Sequence, residues 1–306
     1  MSDSHASHTI RSYPHWRDVL ELLKPITWFP PMWAFACGVV SAGAVTGAQW
    51  PFILGGVILA GPLVCASSQA VNDWFDRHVD AINEPNRPIP SGRIPGRWGL
   101  YLGIIWSAAA LGLGALLGVW AFVASIVAVA LSWAYSAPPF RFKADGWSGP
   151  AVVGLAYEGV AWFTGAAVVM SALPGPLIVT AALLYSIGAH GIMTLNDFKA
   201  IEGDQRMGVK SLPVRLGAER AALVACGVML VPQLVVIAGL FGFSMPIHAA
   251  IVCVLVLIQL RQMAKLLEDP REKAPWYNAT GVSLYVLGMM VTAAAIGALD
   301  GGPTWM

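Results

Sequence analysis

Three aspartates share one short segment, Asp73, Asp76 and Asp80 of NDWFDRHVDAINEPNRPIPSG (residues 72–92), directly after an apolar run. On a helix their i, i+3, i+7 spacing puts them within roughly 60° of one another on one face, and Gln69 extends that stripe one turn earlier. Three like charges this close repel unless something positive sits among them. A hard divalent cation is a natural partner. Mg2+ is usually held by one or two carboxylates together with substrate phosphates, not by a full protein cage. The plainer alternative is a solvated helix end beside Arg77 and His78.

A second acidic segment, NDFKAIEGD (residues 196–204), repeats the theme. Asp197 and Asp204 are again i and i+7, on one face if the helix persists. Glu202 joins them only through a bend, for which Gly203 and Gly208 supply the freedom. Around the two segments stand Arg87, Arg141, Lys143, Lys199, Arg206 and Lys210. Carboxylates hold a polyphosphate only through a metal, whereas Arg and Lys contact it directly. The expected site is therefore a Mg2+-bridged diphosphate, with Asp73, Asp76, Asp80, Asp197, Glu202 and Asp204 as candidate metal ligands. No GxxxxGK[ST] loop occurs, which excludes a P-loop nucleotide site.

A diphosphate at the rim of an apolar cavity implies a long hydrocarbon tail, hence a prenyl diphosphate. Metal-assisted departure of diphosphate leaves an allylic cation at C1, which an aromatic face stabilises. Tyr135, near Arg141 and Lys143, is the first candidate, ahead of Trp74 and Trp133. A belt at the membrane interface is the plainer account of most of the 13 Trp.

The elements that must position these groups are membrane helices. The 306 residues are 57% hydrophobic and only 11% charged, with a mean hydropathy of +0.66, well below the roughly 25% charge of soluble domains. Nine apolar runs are each long enough to cross the bilayer as a helix, at 28–48, 52–72, 98–117, 120–137, 150–170, 175–196, 218–241, 246–266 and 278–298. They are apolar all round, unlike barrel strands, so an all-α integral membrane fold is expected. All 18 Lys and Arg fall in the amino-terminal tail and the segments after spans two, four, six and eight. The positive-inside rule then makes the amino terminus cytoplasmic and the carboxyl terminus external, which requires an odd helix count.

Two Asn-Asp pairs four helices apart suggest two four-helix pseudo-repeats plus a ninth helix around a central cavity. The chain divides into a cytoplasmic tail, 1–24, and a single transmembrane domain, 25–306. HWRDVLELLK in the tail reads either as a surface amphipathic helix or as a plain polar leader. The tail lacks the pattern of a signal peptide. Cys37, Cys65, Cys226 and Cys253 lie in apolar runs without metal or disulfide spacing and read as packing residues. The net charge of +1 is uninformative, and no nucleic-acid partner is expected.

NDxxDxxxD at Asn72, Asp73, Asp76 and Asp80, with a second acidic segment after span six, resembles the UbiA-type intramembrane prenyltransferases. NDWFDRHVDAINEPNRPIPSG, YSAPPFRFKADGWSGP and NDFKAIEGDQRMGVKSLPV together resemble, more closely, the chlorophyll and bacteriochlorophyll synthases. The resemblance runs from about Leu23 into the final helices. It implies a nine-helix bundle and Mg2+-dependent esterification of a chlorophyllide-type propionate, that of bacteriochlorophyllide a or chlorophyllide, with geranylgeranyl or phytyl diphosphate. It also implies metal and diphosphate roles for Asn72, Asp73, Asp76, Asp80, Asn196, Asp197, Glu202 and Asp204, and diphosphate contacts for Arg87, Lys143 and Arg141. Ala200 departs from the pattern, because many relatives have Asp there, which puts the second metal's ligand set in question.

A propionate is ionised at neutral pH and attacks C1 without a strong base. Two polar residues inside apolar runs concern the acceptor. His190 lies on the face of Asp197 about two turns deeper, positioned for ligation of a chlorin magnesium or for a packing hydrogen bond. Glu158 sits mid-span, where an ionisable group defaults to a functional reading, although pairing with another helix is the alternative. A quinone or haem prenyltransferase and a membrane cation transporter remain the competing functions. The expected setting is a bacterial inner (cytoplasmic or intracytoplasmic) membrane, with the site toward the cytoplasm and pigment-biosynthesis or assembly partners nearby.

Overall fold

A computed structural model describes residues 12–299. Residues 1–11, which include Arg11 of the charge pattern, and residues 300–306 lie outside the described residues. Among the described residues there is no strand, only an isolated bridge between Asp145 and Lys210. The helices are α1 (Trp16–Leu23), α2 (Phe29–Ser41), α3 (Trp50–Ile58), α4 (Ala66–Asn83), α5 (Trp98–Leu117), α6 (Val119–Ser136), α7 (Ser148–Gly154) and α8 (Ala161–Met170). They continue with α9 (Pro176–Asn196), α10 (Ile201–Met207), α11 (Leu212–Leu216), α12 (Ala218–Gly242), α13 (Pro246–Glu268) and α14 (Pro270–Leu299). The chain is a multi-pass membrane protein.

Eight helical stretches among the described residues are long and apolar enough to cross a membrane, and they cover the last eight of the nine expected spans. The expected first span, 28–48, is a shorter apolar helix, the 13 residues of α2. Pro30 and Pro31 open it. Gly43, in the left-handed region at φ 88°, turns the chain just after Ser41. At about 20 Å, α2 is shorter than the roughly 30 Å hydrocarbon layer.

Two of the long rods are not uniform. Leu59–Cys65 joins α3 to α4 as a π-helix, and Leu155–Val160 joins α7 to α8 in the same way. In the first, Pro62 lacks the amide that an α-helical ladder needs. Both wide turns flank the interior of the bundle.

Close helix contact replaces the hydrophobic drive that is absent between apolar surfaces in lipid. α2 packs along α8, where Gly38 faces the Trp162 carbonyl and Gly165 the Phe35 carbonyl with no room for a Cβ. The buried Trp162 indole donates to Ser41 Oγ at 3.0 Å. Nearby, the Tyr285 hydroxyl donates to the Tyr185 carbonyl at 2.7 Å and Tyr185 pairs with Thr292 at 2.8 Å, joining α9 to α14. Gln233 and Gln259 exchange amide hydrogen bonds at 3.2 and 3.0 Å and join α12 to α13.

The tail segment HWRDVLELLK forms α1. Its Leu22 and Leu23 are buried with Ala66, Ala70, Ile94 and Leu102, so the helix rests on α4 and the loop that follows it. Cys37, Cys65 and Cys226 are buried and all four cysteines are free, as packing residues should be.

Candidate active site

The aspartate stripe survives on the last turns of α4. Asp73 is only 1% exposed. Its Oδ1 accepts from Lys24 Nζ at 2.7 Å and faces Arg87 Nη1 at 3.5 Å, while its buried Oδ2 has no hydrogen-bond partner. Arg87 also bonds Asp80 Oδ2 at 2.9 Å and pairs with Glu84. The turn after α4 carries it back: Ser91 N donates to the Arg87 carbonyl at 3.0 Å and Ile94 N to the Pro88 carbonyl at 2.8 Å. On the other side of the stripe, Asp76 meets Lys143 Nζ at 2.6 Å and Arg141 Nη2 at 3.7 Å. The two cations of the α6–α7 loop thus reach one carboxylate. Lys143 also donates to Asn72 Oδ1 at 3.1 Å, an oxygen shared with Ser136 at 3.2 Å.

These loop cations feel opposing forces. Burial works against the Arg87 charge, but the carboxylates of Asp73, Glu84 and Asp80 outweigh it and hold its pKa above the ordinary value. At Lys143 burial wins over the attraction of Asp76, and the amine lies below the usual lysine value.

The second acidic segment bends. α9 ends at Asn196, Asp197–Ala200 forms a 3-10 turn, and α10 runs only to Met207 before Gly208 turns the chain at φ 71°. Asp204 Oδ2 accepts from Ser211 Oγ at 2.6 Å, and Asn196 Oδ1 from Asn278 Nδ2 of α14 at 2.8 Å. Glu202, Lys199, Arg206 and Lys210 are exposed at the rim, without an ion pair among the described residues. Lys199 lies within electrostatic reach of Asp197.

The two acidic segments meet at Tyr135. Asp197, Asp76 and Asp204 all lie close enough to act on its hydroxyl. Asn83, at the end of α4, contacts Met207 Sδ at 3.3 Å. Lys210 acts through its backbone: Gly146 N donates to its carbonyl at 2.9 Å and its own N–H donates to the Ala144 carbonyl at 3.0 Å.

Beneath this cluster lies a cavity of about 470 Å³, lined by Asn72, Asn196 and Tyr135 and walled largely by apolar side chains of α6, α7, α9 and α14. Tyr157 and Glu158, from the second π-helix, also line it. The Tyr157 hydroxyl meets Ser68 at 3.2 Å, Gln69 at 3.3 Å and Cys65 at 3.2 Å. Other candidates point elsewhere. Trp133 donates to Ser107 at 3.1 Å, and Trp74 lies under the Arg77 guanidinium, 4.1 Å from its ring centre. His190 does not line the cavity: its Nε2 lies 3.2 Å from the Trp147 carbonyl and its ring packs on Trp147.

Sequence reasoning missed Lys24, Tyr157, Ser211 and Asn278. Lys24 is 49 positions from Asp73, and only the fold of α1 joins them. Tyr157 carried a faint signal, as the neighbour of the mid-span Glu158. Among the described residues no three His, Cys, Asp or Glu side chains converge tightly enough to cage a metal by themselves.

The model of the UbiA prenyltransferase family matches residues 28–298, a range that holds both acidic segments, the intervening basic loop and the cavity-lining residues of α4, α6, α7, α9 and α14. The chain belongs to the UbiA prenyltransferase family. Over 95% of its length and 96% of the relative's, it is 58% identical to the bacteriochlorophyll synthase 33 kDa chain of Cereibacter sphaeroides. It is 38% identical to the chloroplastic chlorophyll synthase of Oryza sativa subsp. japonica, over 92% of this chain and 77% of that one. Its fold is similar to that of a UbiA homolog from Archaeoglobus fulgidus bound to GPP and Mg2+, with a TM-score of 0.71 at 21% identity, covering 91% of this chain and 99% of that one. As a UbiA-family protein the chain is a prenyltransferase, and the acidic end of the cavity is its candidate active site.

Proposed function

We propose that this prenyltransferase moves a geranylgeranyl or phytyl group from its diphosphate to the propionate carboxylate of bacteriochlorophyllide a. The observation that carries this reading is 58% identity to a bacteriochlorophyll synthase chain along 95% of the sequence. In the reaction the C1–oxygen bond to diphosphate breaks, a C1–oxygen bond to the propionate forms, and diphosphate leaves.

The residues suit a divalent cation, because Asp73 Oδ2 is a buried acceptor atom without a partner. Asp73, Asp76 and Asp80 on one side and Asp197, Glu202 and Asp204 on the other would hold Mg2+, with Ala200 contributing no ligand. When bound, the metal neutralises charge on the departing diphosphate. Arg87, Arg141 and Lys143 contact the diphosphate oxygens, and Asn72 and Asn196 orient it at the head of the cavity. The exposed Lys199, Arg206 and Lys210 draw the anion to the rim. Tyr135 presents its ring to the cationic C1, and the apolar walls keep water from competing with the propionate. The acceptor, ionised like any carboxyl of pKa about 4.3, needs no protein base.

The gathering of Lys and Arg at the ends of alternate helices supports a site facing the cytoplasm, in a bacterial inner membrane. The test is purified protein with bacteriochlorophyllide a, radiolabelled geranylgeranyl diphosphate and Mg2+. Label is expected in esterified pigment, and none is expected once the metal is chelated. Label entering an aromatic acid but not bacteriochlorophyllide overturns the reading.

A further inference from the structure

Among the described residues, Glu158 is the one carboxyl lining the cavity below the diphosphate cluster. It lies ten residues into the α7–α8 rod, about 15 Å beneath the loop that carries Lys143. Among the described residues, no hydrogen bond or ion pair reaches it. One hydroxyl in electrostatic reach of it, that of Tyr285, is spent on the Tyr185 carbonyl at 2.7 Å. Its neighbour Tyr157, by contrast, is held by Ser68, Gln69 and Cys65. Glu158 is half-buried and opens to the cavity, and an unpaired carboxyl in a membrane interior marks what passes through.

The two substrates differ in what they offer this group. A prenyl tail is pure hydrocarbon beyond its diphosphate, and the diphosphate belongs at the opposite end of the cavity. A tetrapyrrole has carbonyl groups around its ring. We infer that Glu158, as a neutral carboxylic acid, is a specificity-determining residue that donates a hydrogen bond to a peripheral carbonyl of the tetrapyrrole acceptor, setting the ring deep between the second π-helix and α14 so that its propionate reaches up to Tyr135. This rests on the reading of function above. The Val282, Ser283 and Val286 face of α14 forms the opposite wall, and the widened π turn brings Ala156, Tyr157 and Glu158 to the lumen in succession.

The test is the split between the two KM values. Glu158→Leu is expected to raise KM for bacteriochlorophyllide about tenfold or more while KM for geranylgeranyl diphosphate stays within about twofold. Glu158→Gln, which keeps a donor of similar size, is expected to restore acceptor KM to within about threefold of wild type. An acceptor in which that ring carbonyl is replaced by a methylene, which can neither accept nor donate, gives the matching loss in wild type and no further loss in Glu158→Leu. Where the leucine variant fails to fold, Glu158→Gln compared on the same two acceptors decides the matter: it is expected to keep the wild-type discrimination between them, and its losing that discrimination together with wild-type indifference to the carbonyl overturns the assignment. Acceptor KM indifferent to both the carbonyl and Glu158, or equal losses for both substrates, overturns this inference alone. Absence of any tetrapyrrole esterification by wild type overturns it together with the proposed function.

Discussion

Asp73 has one carboxylate oxygen on Lys24 and the other buried without a partner, and this asymmetry separates what substitutions on either side do. Asp73→Asn keeps the shape but removes the charge that a divalent cation needs, so kcat/KM is expected to fall more than about 100-fold at any Mg2+ concentration. Lys24→Gln leaves the carboxylate in place with Arg87 as the one cation beside it among the described residues, and a loss of about tenfold is expected. Initial rates over a Mg2+ series, with size-exclusion elution to confirm folding, check both. Wild-type turnover in Asp73→Asn would remove Asp73 from the metal assignment. The aspartate spacing was legible because the helical period is fixed by the backbone. Lys24 was not, because a pair 49 positions apart is set by how α1 lies on α4, which no local pattern records.

Arg93 shows how elements hold those residues in place. From the loop after α4 it reaches α1, bonding Asp18 at 2.7 Å and Glu21 at 2.6 and 2.7 Å, and it also ties down the Asn86 carbonyl at 2.8 Å. These hydrogen bonds hold the Glu21 carboxyl below its ordinary pKa. The clamp is partly exposed, so its stability value is modest, about 1 kcal/mol, but it lies between Lys24 on one element and Arg87 on the other. Arg93→Ala is expected to raise KM for prenyl diphosphate about three- to tenfold with little change in kcat, measured under saturating acceptor. Unchanged donor KM would show that the clamp serves folding only. At this scale hydropathy located the apolar runs well, since each needs only length and composition. It was blind to the two π-helices, which alter hydrogen-bond register without altering polarity. The glycines anticipated a bend in the second acidic segment at Gly203 or Gly208; the chain does turn at Gly208, but it breaks first at Asp197–Ala200.

The acidic segments sit on different helices, and the loops beside them are joined by the bridge between residues 144–146 and Lys210. The bridge sits between two functional contacts: Lys143 on Asp76 at 2.6 Å and Ser211 on Asp204 at 2.6 Å. Arg215 reinforces it through Asp145 at 2.8 Å. Gly146 is the point of closest approach, where a Cβ would strike the backbone of Lys210, Ser211 and Leu212, none of which can rotate away. Gly146→Val must therefore push the two loops apart, at a cost of about 1–3 kcal/mol, and with them both acidic faces. The membrane helices do not depend on this contact, so helical content by circular dichroism should be unchanged while kcat/KM for the prenyl diphosphate falls more than about 30-fold. Gly112→Val, at a glycine with open space around it, supplies the comparison and should stay near wild type. Full activity in Gly146→Val would mean that the two acidic segments work independently, which a diphosphate bridged between them does not allow.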